Sequence, residues 1–507
     1  MKFERLVLSD MAFFGLLLAA LILTAGGHIV QGDEETMFRV TQNLVEGRGL
    51  AVGREEITLP AQEYPSFLPV EDEVIWTTSA APGRNDLLYS WYGIGQSIVV
   101  IPLYVLGSIW EKVSPLSMRI GFDGYGPRLF VSMLNPLALA GCSWVLFVFC
   151  RGLGYQNSTG RWISAAFAFS SMAWPYVKTF YPQPSVALLL LIIVFTTFRW
   201  RSDHKPIWIW SLSLVSFLLV LFRPSAIIVF PAIVVYLFLS NPRTIWWKWM
   251  FPLSTGIGSA VLITLVYNWL RFGSILSTGY NDVISWSNPF ILGLYGLLFS
   301  PGKSVFIYTP VLILCLVAMI PFARKYRFEA ILIGLLWLSF LGFYAGYNFW
   351  TGGFNWGPRF LLPLLPITLL PLGSLVEGHK TPIIRYLFVG LILLGVCIQI
   401  PAIIVDHSRY LSRHLAVEDQ SQAYNQTLYD VKYSPLSHQW GEVLGLIGAY
   451  GRPEAWQAAS MSLDRLKLDD QGVRNGEDLL VSEFLRRNTL DFWWLHIYIL
   501  SFSTIYF

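Results

Sequence analysis

The run "SIVVIPLYVLGSIW" (Ser97–Trp110) decides how this chain is threaded. It is apolar enough to enter a bilayer, where a spanning helix needs about 20 residues. The Lys and Arg clusters elsewhere in the chain argue that it does not cross. Such clusters favour the cytoplasmic side, because translocating cations is costly. Lys2 with Arg5, Arg151 with Arg161, Arg199/Arg201/Lys205, Arg243 with Lys248, Arg324/Lys325/Arg327, and Lys380 with Arg385 can all lie on that side together. The condition is that Ser97–Trp110 stays in the first external loop as an interfacial or re-entrant helix. Pro102 and the flanking glycines suit that reading. A plain crossing helix, the alternative, moves every later loop to the opposite side.

With that choice the spans fall at about 6–30, 128–150, 162–177, 184–199, 207–222, 225–240, 249–269, 304–322, 328–346, 359–376 and 383–404. Composition agrees. The 507 residues are 54% hydrophobic and only 13% charged, whereas soluble domains carry roughly 25% charged residues. The net charge of +3 is too small to suggest nucleic acid. Cys142, Cys150, Cys315 and Cys397 all lie in apolar segments, which excludes a disulfide framework or a Cys-based metal site. The first helix is longer than a signal-peptide core and lacks a small-residue cleavage site, so it reads as a retained anchor. The expected fold is an all-α polytopic membrane protein of about 11–12 transmembrane helices. It divides into a membrane module over 1–405, whose first external loop covers 31–127, an external region over 406–490 too polar for lipid, and a short apolar helix over 491–507. That last helix is either a twelfth span or an interfacial one.

The external segments hold the chemistry. Directly after the first span comes "QGDEETMFRVTQNLVEGRGL" (Gln31–Leu50), with three adjacent acids. Met37, Val40 and Leu44 share one helical face, so Asp33 reads as an N-cap with Glu34 and Glu35 in the first turn. Glu35 reads as a solvated surface acid. Asp33 and Glu34 gain another meaning from isolated cations at other external helix mouths: Lys178 in "VKTFYPQPS", Arg223 in "LVLFRPSAIIVF", Lys303 in "FSPGKSVFIY" and Arg359 in "NWGPRFLLPLLP". Any one of these cations could simply snorkel to the headgroups. Four around one acid pair read as a site for an anion at the membrane surface, and a lipid phosphate fits. "SPGKS" is not a nucleotide phosphate loop, because Leu297 stands where the first glycine is required. Trp350 and Trp356 in "FWTGGFNWGPR" either anchor in the interface or stack on a sugar.

These residues resemble the GT-C superfamily of polyprenyl-phosphate-sugar-dependent glycosyltransferases, and within it the protein O-mannosyltransferase and aminoarabinose-transferase branch. The resemblance rests on the acid pair in "GDEETMFRVTQNLVEGRGL", on "LYSWYGIGQSIVVIPLYVLG", on "TFYPQPSVALLLL", on "SPGKSVFIYTPVLIL" and on "GGFNWGPRFLLPLLP", and covers roughly residues 1–405. Gln183 stands where many relatives carry an acid. The region from Asp406 has no counterpart in the best-known members.

The resemblance implies inverting transfer of a sugar from a lipid phosphate to an acceptor hydroxyl or amine. Asp33 would then be the base, with Glu34 orienting or alternating. Arg223, Lys303, Arg359 and Lys178 would hold the donor phosphate. Tyr89, Trp91 and Tyr92 would shape the entrance for the lipid, and Trp350 and Trp356 would contact the sugar. A divalent metal is an option, although ligands beyond Asp33 and Glu34 are not evident. The implied partners are a polyprenyl-phosphate-linked sugar, membrane lipid, and a glycan, lipid or protein acceptor. The implied location is a bacterial plasma membrane, with the site on its external face. Three rivals stand beside this reading. A transporter or flippase would place ionisable groups near the midplane, and here they gather at helix mouths. A non-catalytic partner in a polysaccharide-assembly complex would carry the same charges as unrelated surface features. An O-antigen-ligase-like enzyme would use a large late external loop, which 406–490 can supply.

Overall fold

The structure is a computed structural model and describes residues 2–29, 32–54, 79–113, 125–240, 246–280, 285–378, 382–405, 407, 410–411, 414–415 and 420–450. The side chains of Lys2 and Arg5, the cations Arg243 and Lys380, most of 406–419, residues 451–490 and the terminal 491–507 lie outside the described residues.

The chain is a bundle of helices. α1 (Lys2–Leu23) leads to the acid-bearing α2 (Gly32–Val45). The remainder of the first loop holds β1 (Ala51–Arg54), β2 (Ala80–Pro82), β3 (Leu87–Ser90), α3 (Ile94–Val99) and α4 (Ile101–Val113). Then follow α5 (Tyr125–Ser132), α6 (Leu134–Gly152), α7 (Asn157–Ser170), α8 (Gln183–Asp203), α9 (Pro206–Phe222), α10 (Phe230–Ser240) and α11 (Trp247–Phe272). The second half continues with α12 (Phe290–Phe299), α13 (Val311–Lys325), α14 (Arg327–Tyr344), α15 (Leu372–Gly378), α16 (Pro382–Ile404), α17 (Gln420–Tyr429) and α18 (Pro435–Tyr450). Among the described residues, six stretches are long and apolar enough to cross a membrane: Gly126–Gly152, Gln183–Asp203, Trp247–Phe272, Arg327–Tyr344, Arg359–Gly378 and Pro382–Ile404. Shorter apolar helices stand beside them, over Ser9–Leu23, Pro206–Phe222, Pro224–Ser240 and Phe290–Phe299.

Sequence explains the layering. "VALLLLIIVF" in α8 is apolar on every side, and such a helix belongs in the interior; Leu190, Leu191, Ile193 and Val194 are all buried. α11 instead leaves Leu262, Ile263 and Val266 exposed on one side, as a lipid-facing helix does. Small residues let helix backbones touch. A Cβ on Gly256 of α11 would sit 2.2 Å from the Ser213 carbonyl oxygen of α9, and one on Gly395 of α16 would sit 2.3 Å from that of Ser170 in α7.

Several expected spans are broken. The expected span at 162–177 ends as α7 at Ser170 and resumes as a 3-10 turn over Trp174–Lys178. The one at 304–322 is split at Thr309–Pro310, because Pro310 has no N–H to continue the preceding turn. α12 was hidden in what reads as a long external loop. The three-stranded antiparallel sheet, in the order β1-β3-β2, was also not anticipated. Its strands are too short to show an alternating pattern.

The deciding stretch runs helically from Ile94 to Val113 with only a change of geometry at Val100, whose N–H still bonds the Gln96 carbonyl. Its two ends pack at one level of the bundle. Near its start, a Cβ on Gly93 would lie 2.3 Å from the Leu221 carbonyl oxygen, at the C-terminal end of α9. Farther along, Gly107 packs just as closely on Gly126, at the start of the Gly126–Gly152 span. Both contacts are at the end of the bundle that carries α2. The opposite end collects the cations expected to be cytoplasmic: Arg161 meets Asp10 at 2.5 Å, and Arg201 meets Glu329 at 2.5 Å. α8, about 32 Å long at 1.5 Å per residue, separates the two ends.

Candidate active site

α2 places three carboxylates in its first turn and, at about 100° per residue, sends them in different directions. Asp33 is the second residue of the helix and not its cap. Its Oδ1 accepts a hydrogen bond from Ser79 Oγ at 2.5 Å, and the buried Tyr92 phenol lies near its carboxylate. Its Oδ2 lies 3.7 Å from Arg359 Nη1. Glu34 is buried, close to Tyr181. Glu35 corrects the expectation of a solvated acid. Arg128 reaches it through Nη2 at 2.6 Å and Nε at 3.3 Å, and Arg39 Nε lies at 3.2 Å. The Arg128 guanidinium also covers the Phe38 ring at 4.5 Å. Glu35 thereby fastens α2 to α5.

Buried phenols stand near Asp33. Burial pushes the Tyr92 and Tyr181 hydroxyls up, and the Asp33 charge pushes them further. Tyr280 is also raised, mainly by burial, with Arg223 opposing and Asp33 adding to the shift. All three therefore remain protonated donors at neutral pH.

Arg359 starts a 3-10 segment (Arg359–Leu364), and its side chain is only 8% exposed. Its guanidinium lies 4.6 Å from the Tyr181 ring and 5.2 Å from that of Phe360. Room for it comes from Gly352, at φ +70°, where a Cβ would sit 2.8 Å from Arg359 Nε. Arg223 approaches the same ring, 5.0 Å from Phe360 and 5.8 Å from Tyr344. Those two rings stack at 4.5 Å. Arg223 Nε donates to Ser225 Oγ at 3.1 Å.

Lys303 departs from the expectation. Its Nζ donates to the carbonyls of Gly353 at 2.9 Å, Asn355 at 2.6 Å and Gly357 at 3.3 Å. An ammonium has three donors, and all are engaged here, so contact with a phosphate would first require breaking one of these bonds. Burial, with Arg359 adding like-charge repulsion, lowers this lysine to about 7. The carbonyls act in the other direction. Lys178 ends its 3-10 turn with its backbone carbonyl against Gly26.

The aromatic expectations divide. Tyr92 faces Asp33, and Trp91 packs edge-on against Tyr280 at 5.1 Å. Tyr89 turns to Phe272, with ring centres 6.1 Å apart. Trp350 and Trp356 are buried packing residues and do not present open faces to a sugar. Trp350 fills the space over Gly296, and Trp356 Nε1 donates to Gln399 Oε1 at 2.8 Å. The exposed rings of that loop belong to Phe349 and Phe354.

Ser79, Tyr181, Tyr280 and Arg271 escaped the sequence reading. Arg271 donates to the carbonyls of Ser90 and Tyr92 and, through Nη2, to Asn268 Oδ1 at 2.7 Å. It thus fixes the strand end that presents Tyr92. Its spacing of three from Asn268 was the available signal. Among the described residues no group of three or more His, Cys, Asp or Glu side chains could hold a metal ion.

No family model matches the chain, and no curated protein does. Solved structures do. ArnT from Cupriavidus metallidurans bound to undecaprenyl phosphate aligns with a TM-score of 0.50 at 11% identity, covering 85% of this chain and 77% of that one. The same protein in the apo state aligns with a TM-score of 0.49 at 12% identity, covering 87% and 76%. With its acid-bearing helix seated at one end of a helical bundle, the chain carries a fold like that of ArnT.

Proposed function

We propose that the chain is a membrane glycosyltransferase that moves a sugar from a polyprenyl-phosphate donor to an acceptor hydroxyl or amine. The observation that carries this reading is Asp33 held 3.7 Å from Arg359 among buried phenols, at one end of the bundle. ArnT, whose fold the chain shares, is described as bound to undecaprenyl phosphate. The positive loops gather at the opposite end, so the reading puts the site on the external face, in a bacterial plasma membrane.

In this mechanism Asp33 takes the proton of the acceptor group as that group attacks the anomeric carbon. The bond between that carbon and the phosphate oxygen breaks, and the phosphate leaves with the electron pair. Attack from the opposite face inverts the centre. Phosphate is a weak base and needs no strong general acid. Arg359, with Arg223 behind Phe360, offsets the charge that develops on it. Glu34 orients the acceptor. Lys303 works one step removed, by holding the loop before Arg359.

The test is purification in native-lipid particles, with mass spectrometry for retained polyprenyl phosphate. Turnover is then followed on a panel of polyprenyl-phosphate-linked sugars. Wild type should retain the lipid, and Arg359→Ala should lose it. A wild-type protein that neither retains nor binds a polyprenyl phosphate would overturn the proposal.

A further inference from the structure

The "TGGFNWG" segment (Thr351–Gly357) is a poor candidate for rigidity. Gly352, Gly353 and Gly357 all have positive φ, and glycines lose the most freedom on ordering. Yet Arg359 depends on this segment, because its side chain lies directly on Gly352. Lys303 ties the segment from one side. The other side is tied by residues after α16. Tyr424 Oη, on α17, donates to Thr351 Oγ1 at 2.9 Å and approaches the Gly353 carbonyl at 3.4 Å. Thr351 Oγ1 in turn accepts the Gly353 N–H at 3.3 Å. The Tyr424 ring packs edge-on to Phe354 at 5.4 Å, and His407 Nε2 lies 2.7 Å from the Phe354 carbonyl oxygen. The same layer grips the turn that carries Lys303. The Gly302 N–H donates to the Leu428 carbonyl at 3.0 Å, and Ser434 Oγ donates to that of Pro301 at 2.9 Å.

We infer that α17 is part of the site, with Tyr424 a positioning residue that fixes Arg359 relative to Asp33 through the Thr351–Gly357 loop. This rests on the glycosyltransferase reading only in naming the anion that Arg359 meets. The Gly353 carbonyl, shared by Lys303 and Tyr424, is where the two ties converge. Loss of one phenol hydroxyl should leave the fold intact and loosen the loop. Small displacements of a positioned group cost much more in a site than elsewhere.

The experiment compares Tyr424→Phe with Tyr410→Phe. Tyr410 belongs to the same layer, but its hydroxyl donates to the Tyr433 carbonyl, away from the loop. Amide hydrogen exchange on the ligand-free proteins should show lost protection over 352–357 in Tyr424→Phe and none in Tyr410→Phe. Affinity for undecaprenyl phosphate should fall about fivefold in Tyr424→Phe, the equivalent of one hydrogen bond. In an Arg359→Ala background the same change should add nothing further. Unchanged exchange over 352–357 overturns the inference whatever the ligand results. An equal loss of affinity with and without Arg359 overturns the route through that residue. Wild type that fails to bind undecaprenyl phosphate counts against the function proposed above, and exchange then decides this inference alone.

Discussion

The two ends of the bundle treat their acids differently. At the far end Glu329 is closed off: Arg201 Nη1 at 2.5 Å and the Tyr236 hydroxyl at 2.7 Å both engage one oxygen, Oε1. Asp10 and Arg161 form a similar tight pair at 2.5 Å. At the near end Asp33 stands 3.7 Å from Arg359, and its close hydrogen bond comes from the Ser79 hydroxyl. Tight pairs spend their charge on each other and hold helices together. A looser pair among neutral donors keeps charge available for a third party. The contrast separates acids that build the molecule from an acid placed to act.

Asp33→Asn tests this contrast hardest. It should lower transfer about 10³-fold, within the usual range for losing a general base, while the melting temperature changes little. Normal turnover by that variant removes Asp33 from the mechanism. Glu329→Ala should do the reverse. Breaking a buried pair from one side costs about 3 kcal/mol, at the low end because Arg201 is 32% exposed. Its kcat/KM per folded molecule should match wild type, and reduced turnover with normal stability would erase the distinction between the ends. Arg359→Ala should cost about 10²-fold in kcat/KM, seen in donor kinetics more than in unfolding. Unchanged donor kinetics would reduce this residue to an anchor. The last effect concerns pH. Lys303 falls from 10.5 to about 7 on folding, so between those values the unfolded chain binds the extra proton and stability rises with pH. Lys303→Met should flatten that slope in thermal melts from pH 7 to 10; an unchanged slope would place the titration elsewhere.

Much of this plan was legible in the residues. Apolar runs and clustered cations gave the helices and their two ends, because both follow from the cost of placing charge in lipid. Asp33 and Arg359, 326 positions apart in sequence, could be paired because a cluster of acids at one helix mouth calls for the isolated cations at others. What the sequence hid depends on backbone geometry. The carbonyl cage around Lys303 exists only because Gly352, Gly353 and Gly357 turn left-handed. Trp350 and Trp356 looked like surface rings until Gly296 and Gln399 were found beneath them. Hydroxyl groups such as those of Ser79 and Tyr280 carry no pattern, since serine and tyrosine are common in loops of every kind.

The close seating of Gly93 on α9 and of Gly107 on Gly126 has a consequence for biogenesis. A greasy segment that starts and finishes at the same level adds nothing to the tally of crossings. An insertion machine reading hydrophobicity alone would count such a segment as one crossing more. Reporters fused after Val45 and after Val113 should accordingly report the same compartment.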